Sequence, residues 1–263
     1  MTTLSTPTSP MTMSPMTTSP VTTSPMTATQ RNVLEVRNIQ TFIGQFHILD
    51  GVSVDVPDGS ITVLLGRNGA GKTTTLKSIL GLTPPRVGAI VFNGKEIQGQ
   101  PAYRTAAKGI GYVPEHRAIF RDLSVEENLR IAERKAGDLA RREEFIFGLF
   151  PDLKRLIKLP GGNLSGGQQQ MLAVARALVP ENQLLLIDEP SEGLAPVVIE
   201  QMMEAIRRLS ADTTVLLVEQ NFIMASRLAD RYTIIETGRS VKSGMMVDLI
   251  DDEATIQRYL GAA

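Results

Sequence analysis

The stretch ITVLLGRNGAGKTTTLKSIL, residues 61–80, joins a short apolar run to a glycine-rich turn and then to a helical pattern. A near-continuous apolar run such as ITVLLG is typical of a strand that is buried on both faces. The turn, with its three glycines followed by lysine and threonine, matches the pattern of a phosphate-binding loop. The stretch therefore predicts a buried strand, a phosphate-binding turn and a helix in that order.

The chemistry of phosphate binding explains the residue types in this turn. Glycines let backbone N–H groups converge on phosphate oxygens without a Cβ in the way. The charge of Lys72 would reach the β- and γ-phosphates of a nucleotide, and the hydroxyl of Thr73 would reach Mg²⁺. The alternative is a glycine-rich turn with an idle lysine. The predicted nucleotide-binding residues of this segment are Gly66, Arg67, Asn68, Gly69, Ala70, Gly71, Lys72, Thr73 and Thr74.

A second apolar run, QLLLID at 183–188, ends in two carboxylates that suit the other half of a phosphate site. We expect Asp188 to hold Mg²⁺ through water. Glu189, one residue further, would orient and polarise the attacking water. Without the phosphate-binding loop, a capping pair at a strand end would be an equally good interpretation.

The segment LSGGQQQ, residues 164–170, predicts the start of a helix. A serine followed three residues later by glutamine forms a capping box, in which each side chain bonds the other residue's backbone N–H. The two glycines between them leave the N–H groups of the first turn bare, and such groups form a site for an anion. The predicted anion-binding residues are Ser165, Gly166, Gly167 and Gln168. An ordinary capped helix is the alternative.

The remaining patterns place these motifs in a layered domain that covers residues 31–263. VLEVRNI (33–39) and SVDV (53–56) alternate like strands of an antiparallel layer, and AIVFNGKEI (89–97) predicts a hairpin with an Asn-Gly turn. GIGYV (109–113) and TTVLLV (213–218) predict further buried strands. Strands that alternate with helices imply a mostly parallel sheet with helices on both faces.

Helical spacing prevails from about 120 to 180. There Ser124 with Glu127 forms a second capping box ahead of NLRIAERK, and the pattern from Arg141 onward predicts further helix. We expect this helical block to be inserted between two strands of the sheet. Later patterns predict a helix at 197–209, a tight turn at ETGR (236–239) and a final helix at DEATIQRYL.

Residues 1–30 differ from the rest, because Ser-Pro recurs there at a five-residue period among Thr and Met. Such a stretch buries too little apolar surface to offset its ordering entropy, so we expect a disordered tail. A docking segment, or a start codon placed too early, is the alternative. The net charge of −1 gives no basic field for nucleic acid. The chain contains no cysteine, which excludes disulfides and thiolate metal sites, and no run of 18 apolar residues that would span a membrane.

The motifs GRNGAGKT, LSGGQQQ and LLLIDEP, in that order, resemble those of the ATP-binding subunits of ABC transporters. The resemblance covers about 31–263, and LSGGQ about twenty residues before the acidic strand is very specific to that family. It implies a P-loop ABC cassette with a parallel sheet core, an antiparallel layer and an inserted helical subdomain. The stretches VPEHRAIFRDLSVEENL, SEGLAP and VLLVEQN are similar to those of the second ATPase of branched-chain amino acid importers. The urea and short-chain amide importer ATPases are also similar.

What the resemblance implies goes beyond the single chain. Two cassettes pair head to tail, so the LSGGQ helix of one contacts the γ-phosphate of ATP held by the other. The partners implied are a second ATPase, identical or sister, two membrane permeases and, indirectly, an external binding protein. The implied location is the cytoplasmic face of the cell membrane, as a peripheral subunit. The permease and the binding protein select the cargo, so this chain leaves it open.

Three positions depart from the general ABC pattern. Glu115 stands where a glutamine usually contacts Mg²⁺ and water, which makes it a candidate third ligand. Gln220 stands where a histidine usually senses the γ-phosphate, and the lost charge-assisted contact would cost about 2–3 kcal/mol. Ile43 stands where an aromatic residue usually stacks on adenine; Phe42 or Phe46 could substitute, or both could be core residues. The first two departures lead to the hypothesis that the site built on this P-loop hydrolyses more slowly than its partner's.

Other classes fit the sequence less well. A nucleotide kinase would lack LSGGQ. Soluble ABC proteins of DNA repair carry long coiled-coil or zinc insertions, and those of translation carry two cassettes. An exporter ATPase and a regulatory partner that binds ATP without cleaving it also remain as alternatives.

Overall fold

The computed structural model describes residues 1–2 and 31–261. The tail predicted for 1–30 lies outside the described residues, apart from its first two. Within the described ranges, no helix combines the length and the apolarity needed to cross a bilayer.

The strands are named here in chain order. They are β1 (Asn32–Ile43), β2 (Phe46–Pro57), β3 (Ile61–Leu65), β4 (Val87–Phe92), β5 (Lys95–Glu96), β6 (Ile110–Val113), β7 (Leu184–Asp188), β8 (Thr214–Val218), β9 (Arg231–Glu236) and β10 (Arg239–Met245).

The helices follow the same convention. They are α1 (Lys72–Leu80), α2 (Ala102–Ala107), α3 (Val125–Arg130), α4 (Asp138–Leu149), α5 (Pro151–Arg155), α6 (Gly166–Leu178), α7 (Pro196–Leu209), α8 (Phe222–Leu228), α9 (Met246–Ile250) and α10 (Glu253–Leu260).

The main sheet has the strand order β10-β9-β3-β8-β7-β6. Its neighbours pair in parallel, except β10, which returns antiparallel to β9 through the predicted turn. Every residue of β3, β7 and β8 is buried, because these strands lie inside the sheet with both faces covered. The apolar runs therefore predicted the central strands correctly.

A second, antiparallel sheet has the order β2-β1-β4-β5. The hairpin of β4 and β5 turns at Asn93 and Gly94, which both have positive φ (50° and 74°), as an Asn-Gly hairpin turn requires. The predicted hairpin and the predicted antiparallel layer are both confirmed.

Apolar side chains fill the space on both faces of the main sheet. On one face they come from the main sheet, from α6, α7 and α8, and from the block α3–α5. On the other face they come from α1 and from the inner face of the antiparallel sheet. The prediction of helices on both faces is thus only partly right, because a sheet with an alternating apolar face covers most of the second side.

The chain between β6 and β7 is helical and contains α3 to α6. The capping box of Ser124 and Glu127 is present at the start of α3. The next long helix, α4, begins at Asp138 rather than at Arg141, because Gly137 in a left-handed conformation (φ 82°) precedes it. A separate helical subdomain at about 120–180 stays a prediction.

Candidate nucleotide site

The predicted phosphate-binding loop lies between the end of β3 and the start of α1. Gly66 has a φ of 150°, and a Cβ there would lie 2.2 Å from the carbonyl oxygen of Ile235 in β9. Gly71 has a φ of 110°, and a Cβ there would lie 2.6 Å from Cδ2 of Leu49 in β2. Only glycine fits both positions, because the loop has positive φ at each of them and lies in close contact with β9 and with β2.

Lys72 places its ammonium group inside this loop. Its Nζ donates to the carbonyl oxygens of Gly66 (3.0 Å) and Arg67 (3.3 Å), and the residue is only 4% exposed. The same Nζ lies 3.2 Å from Oε1 of Glu189. A buried cation held by carbonyl dipoles and one carboxylate can exchange these partners for phosphate oxygens.

Thr73 and Asp188 meet, although 115 positions separate them in the chain. The Thr73 hydroxyl donates to Oδ1 of Asp188 at 3.0 Å, and the Tyr112 hydroxyl donates to Oδ2 at 3.2 Å. Complete burial raises the pKa of Asp188, while these two hydrogen bonds oppose the rise and the charges of Glu115 and Glu189 add to it. Burial, together with the negative charge of Asp188, also raises the pKa of Tyr112.

The chemistry of these groups fits Mg²⁺. Hydroxyl and carboxylate oxygens are hard donors, and Mg²⁺ usually takes only one or two protein carboxylates and completes its shell with phosphate and water. Within residues 1–2 and 31–261, no group of three or more acidic, His or Cys side chains is arranged to hold a metal ion by itself.

Glu189 follows the last residue of β7 and turns the chain sharply. Its φ is +43°, a left-handed conformation that costs a non-glycine residue about 1–3 kcal/mol. Its N–H donates to the carbonyl of Val218 at 2.9 Å, which ties the turn to the end of β8. The side chain is thereby directed toward Lys72 rather than along the strand.

The other two candidates of this site lie at neighbouring strand ends. Glu115 follows β6 and is half-buried, close enough to Asp188 to raise the pKa of its carboxyl. Gln220 follows β8 and is exposed. The carboxyl ends of β3, β6, β7 and β8 thus gather the predicted residues on one edge of the parallel sheet, where ligands of such sheets bind.

The LSGGQ segment forms the predicted capping box. The Gln168 N–H donates to the Ser165 hydroxyl oxygen (3.3 Å), and the Ser165 N–H donates to Oε1 of Gln168 (3.0 Å). Ser165 and Gly166 are exposed, whereas a Cβ on Gly167 would lie 2.7 Å from Cγ1 of Val198 in α7. The start of α6 is therefore packed on one side and open to solvent on the other.

The structure corrects one expectation about the adenine contact. The Phe42 ring stacks on His47 with centroids 4.2 Å apart, and the Arg86 guanidinium lies 4.4 Å above the ring centroid. A ring covered by these two groups is a poor platform for a base, so Phe42 is less accessible than Phe46 for the adenine contact, which stays a prediction. Phe46 is 66% exposed and Ile43 is 49% exposed, so the interpretation of Phe46 as a core residue is wrong.

Sequence reasoning missed two residues of this edge. Tyr112 was assigned only to a buried strand, and Glu219 was mentioned only as part of the stretch VLLVEQN. Their signal was position alone, since each lies at the carboxyl end of a strand next to a predicted site residue. A cleft of about 1470 Å³ would not have helped, because residues ahead of β7 and β8, such as Gln183 and Thr213, line it at the opposite edge.

Comparison with known proteins agrees with this geometry. Residues 49–192 match the family model described as ABC transporter. The chain is 40% identical over 232 residues to the high-affinity branched-chain amino acid transport ATP-binding protein BraG of Pseudomonas aeruginosa, covering 87% of this chain and 100% of that protein. It is 38% identical to the probable branched-chain amino acid transport ATP-binding protein LivF of Archaeoglobus fulgidus, covering 80% and 90%.

The fold is also found among solved structures. An ATP-binding cassette of an ABC transporter in its ADP conformation superposes with a TM-score of 0.78 at 24% identity, covering 88% of this chain and 100% of that one. The predicted cassette fold, with its parallel core and antiparallel layer, is therefore confirmed. Together with the family match and the relatives above, this means that the chain belongs to the ABC transporter family as one of its ATP-binding subunits.

Proposed function

We propose that the chain powers an importer of branched-chain amino acids by binding and hydrolysing ATP. The observation that carries this proposal is 40% identity to BraG across that protein's whole length. The similarity to LivF points to the same cargo. The urea and short-chain amide importers remain the alternative to be tested.

In the proposed mechanism, the P-loop backbone and Lys72 hold the phosphates. Lys72 leaves the carbonyls of Gly66 and Arg67 for the β- and γ-phosphates, and Thr74 follows in the first turn of α1. Thr73, Asp188 and Glu115 would hold Mg²⁺, and the bound ion would supply positive charge beside the phosphates.

Hydrolysis needs a base and a sensor beside the γ-phosphate. Glu189 takes this first role, because its left-handed backbone directs the carboxylate toward Lys72. Gln220 takes the second, since its amide can donate a hydrogen bond without adding charge. Because Gln220 and Glu115 replace the usual histidine and glutamine, we propose that this site turns over more slowly than the partner's.

A second cassette completes each site in this proposal. The open face of α6, with Ser165 and Gly166 exposed, suits the γ-phosphate of ATP bound by the partner. Either a second copy of this chain or a sister ATPase supplies that P-loop.

The permease contact is proposed for the loop after β6 and the adjoining α3. A cleft of about 440 Å³ lies between this loop, Gln169 of α6 and the segment that contains Glu192. Phe120 (45% exposed) and Ile131 (56% exposed) add apolar surface that a permease helix would cover. This contact would hold the chain on the cytoplasmic face of the membrane.

The test is transport-coupled ATPase activity in lipid vesicles that contain the chain, its permeases, the sister ATPase and the binding protein. Leucine, isoleucine or valine should stimulate hydrolysis, whereas urea and acetamide should not. The Glu189→Gln variant should bind ATP and lose about a hundredfold or more of the hydrolysis rate. Stimulation by urea or acetamide alone would refute the branched-chain cargo and favour the relative.

To test unequal sites, Glu189→Gln in this chain is compared with the matching change in the sister ATPase. We expect the sister's change to cause the larger loss of transport-coupled hydrolysis. Equal losses would contradict the inequality.

A further inference from the structure

A second glutamate, Glu219, lies at the site edge and has no part in the mechanism described above. It is the first residue after β8, is 1% exposed, and its N–H donates to the carbonyl of Leu64 in β3 at 3.2 Å. A carboxylate so deeply buried is costly unless hydrogen bonds compensate for the lost water.

The compensation comes from backbone N–H groups of two separate loops. Oε2 accepts from the N–H of Gln220 (3.0 Å) and of Asn221 (2.9 Å), and Oε1 accepts from the N–H of Ser191 (3.2 Å). Ser191 belongs to the loop that follows Glu189, whereas Gln220 and Asn221 lead into α8. One side chain therefore bridges the loop behind the base to the loop that carries the sensor.

This arrangement leaves Glu219 unsuited to act as the base itself. Three hydrogen bonds occupy its oxygens, and burial keeps water away from them. Burial raises the pKa of Glu219, the hydrogen bonds oppose the rise, and the charge of Glu189 adds to it, which places the two carboxylates within electrostatic reach. The carboxylate of Glu189, which is 14% exposed and pairs with Lys72, is the more accessible of the two.

Each loop also has one fixed end of its own. Asn221 already caps α8 by accepting from the N–H of Met224 (3.1 Å), so the sensor side is fixed to that helix. The N–H of Glu189 fixes the base to Val218. The Glu219 carboxylate adds the side-chain link between Ser191 and Gln220, and thereby sets the distance at which base and sensor face a γ-phosphate.

We propose that Glu219 is a positioning residue for ATP hydrolysis, which locks Gln220 and the loop after Glu189 into one rigid unit. This inference rests on the roles proposed above for Glu189 and Gln220, and it does not depend on the cargo. A misplacement of about 1 Å in reacting groups costs up to about a hundredfold in rate. Loss of the bridge should therefore lower kcat while ATP binding by the P-loop stays unchanged.

The decisive variant is Glu219→Gln, which keeps the shape but places an NH₂ group against N–H donors. Its matched control is Asp138→Asn, because Asp138 is also a buried carboxylate (8% exposed) that accepts backbone N–H groups, from Arg134 (2.9 Å) and Lys135 (2.8 Å), but in the helical block. Both variants are made in the full chain and assembled with its transporter partners in vesicles.

We expect Glu219→Gln to lower the kcat of basal ATP hydrolysis by about tenfold to a hundredfold with an unchanged KM for ATP. We expect Asp138→Asn to leave both constants unchanged. Hydrogen exchange measured on the full chain should quicken at Ser191, Gln220 and Asn221 together in the first variant only.

If the Glu219→Gln variant hydrolyses ATP with the kcat of the wild type, the inference is overturned. It is also overturned if Asp138→Asn loses as much kcat as Glu219→Gln when both variants lose the same thermal stability. Unchanged exchange at Ser191 would also overturn it. If branched-chain amino acids fail to stimulate the wild-type transporter, only the cargo proposal fails. The basal hydrolysis rates and the hydrogen exchange of Glu219→Gln and Asp138→Asn still decide the role of Glu219.

Discussion

Asp188 and Glu189 are adjacent carboxylates that the structure places in opposite environments. Asp188 is the last residue of β7, is completely buried, and accepts hydrogen bonds from Thr73 and Tyr112. Glu189 leaves the sheet through a left-handed turn and reaches Lys72 instead. Because the left-handed turn redirects the side chain of Glu189, the two neighbouring carboxylates contact different partners.

The Tyr112→Phe variant tests how Asp188 is oriented. Its hydroxyl donates to Oδ2 at 3.2 Å, and partners of this kind typically contribute a factor of about 10–100 in metal affinity. We expect the Mg²⁺ concentration for half-maximal hydrolysis to rise about tenfold, with ATP saturation unchanged. Tyr103→Phe, at a residue 68% exposed, is the control; an equal shift there would contradict the role of Tyr112.

Among the elements, α3 and α6 begin with the same device and use it differently. Each has a serine cap paired with Glu or Gln at the third position, so each has a well-defined first turn. Only α6 has two glycines in that turn, which leave its N–H groups free of side chains. The cap builds the helix, and the glycines make its end accessible to an anion.

Ser165→Ala and Ser124→Ala therefore form a matched pair. Each should lower the free energy of unfolding by about 1 kcal/mol, the usual contribution of a serine cap. Only Ser165→Ala should also slow hydrolysis, by about tenfold or more, because it would remove the proposed hydrogen bond to the charged γ-phosphate of the partner's ATP. Equal ATPase rates in the two variants, measured beside urea unfolding curves, would contradict the proposed contact.

The C-terminal helix α10 is held by a small charged cluster. Asp252 accepts from the N–H of Thr255 (3.0 Å) and from Nζ of Lys242 (2.5 Å), so the pKa of Asp252 is lowered, chiefly by Lys242. A carboxyl whose pKa is lower in the folded chain stabilises it above the unfolded pKa of about 3.9, and this contribution is lost as the pH falls.

We expect Asp252→Asn, which can still cap the helix, to lower the urea midpoint at about pH 7. The difference from the wild type should shrink as the pH falls below about 4, because the carboxyl of the unfolded chain then binds a proton, whereas the folded carboxyl binds one only at its lower pKa. Asp251→Asn changes the exposed neighbour and is the control. A difference that does not depend on pH would show that the ion pair contributes nothing.

At the scale of the whole molecule, the P-loop and the start of α6 lie in different surroundings. The P-loop, which connects β3 to α1, packs against β9 and β2. The start of α6 packs instead on α7 and on the loop after β6, where Nη1 of Arg117 lies 3.4 Å from Oε1 of Gln169. In the pairing proposed above, this exposed helix end would contact the nucleotide bound by a second cassette.

The pairing can be measured with the Glu189→Gln variant, which should trap ATP. With ATP and Mg²⁺ we expect this variant to sediment at twice the 28.6 kDa of one chain, or at the mass of a heterodimer with its sister ATPase. With ADP it should sediment as a monomer. Lys72→Ala in the same background removes the phosphate contact and should abolish the association. Full hydrolytic activity from a chain that never associates would contradict the pairing.

Local patterns were sufficient for the elements of the site. The buried strands, the glycine-rich loop, both capping boxes and the Asn-Gly hairpin each depend on residues within about ten positions, so their physics is readable along the chain. The order of the three motifs was enough to indicate the family.

Contacts between distant residues were decided only by the tertiary structure. Tyr112 meets Asp188 across 76 positions, and Glu219 meets Ser191 across 28, since parallel strands bring their carboxyl ends together at one edge. The packing of Arg86 over the ring of Phe42 joins residues that are 44 positions apart, and no local pattern indicated it. The sequence by itself determined which chemical groups the site contains, because those are set by residue type and local conformation. Their pairing, burial and direction depended on how the sheets and helices pack, which no single stretch of the chain encodes.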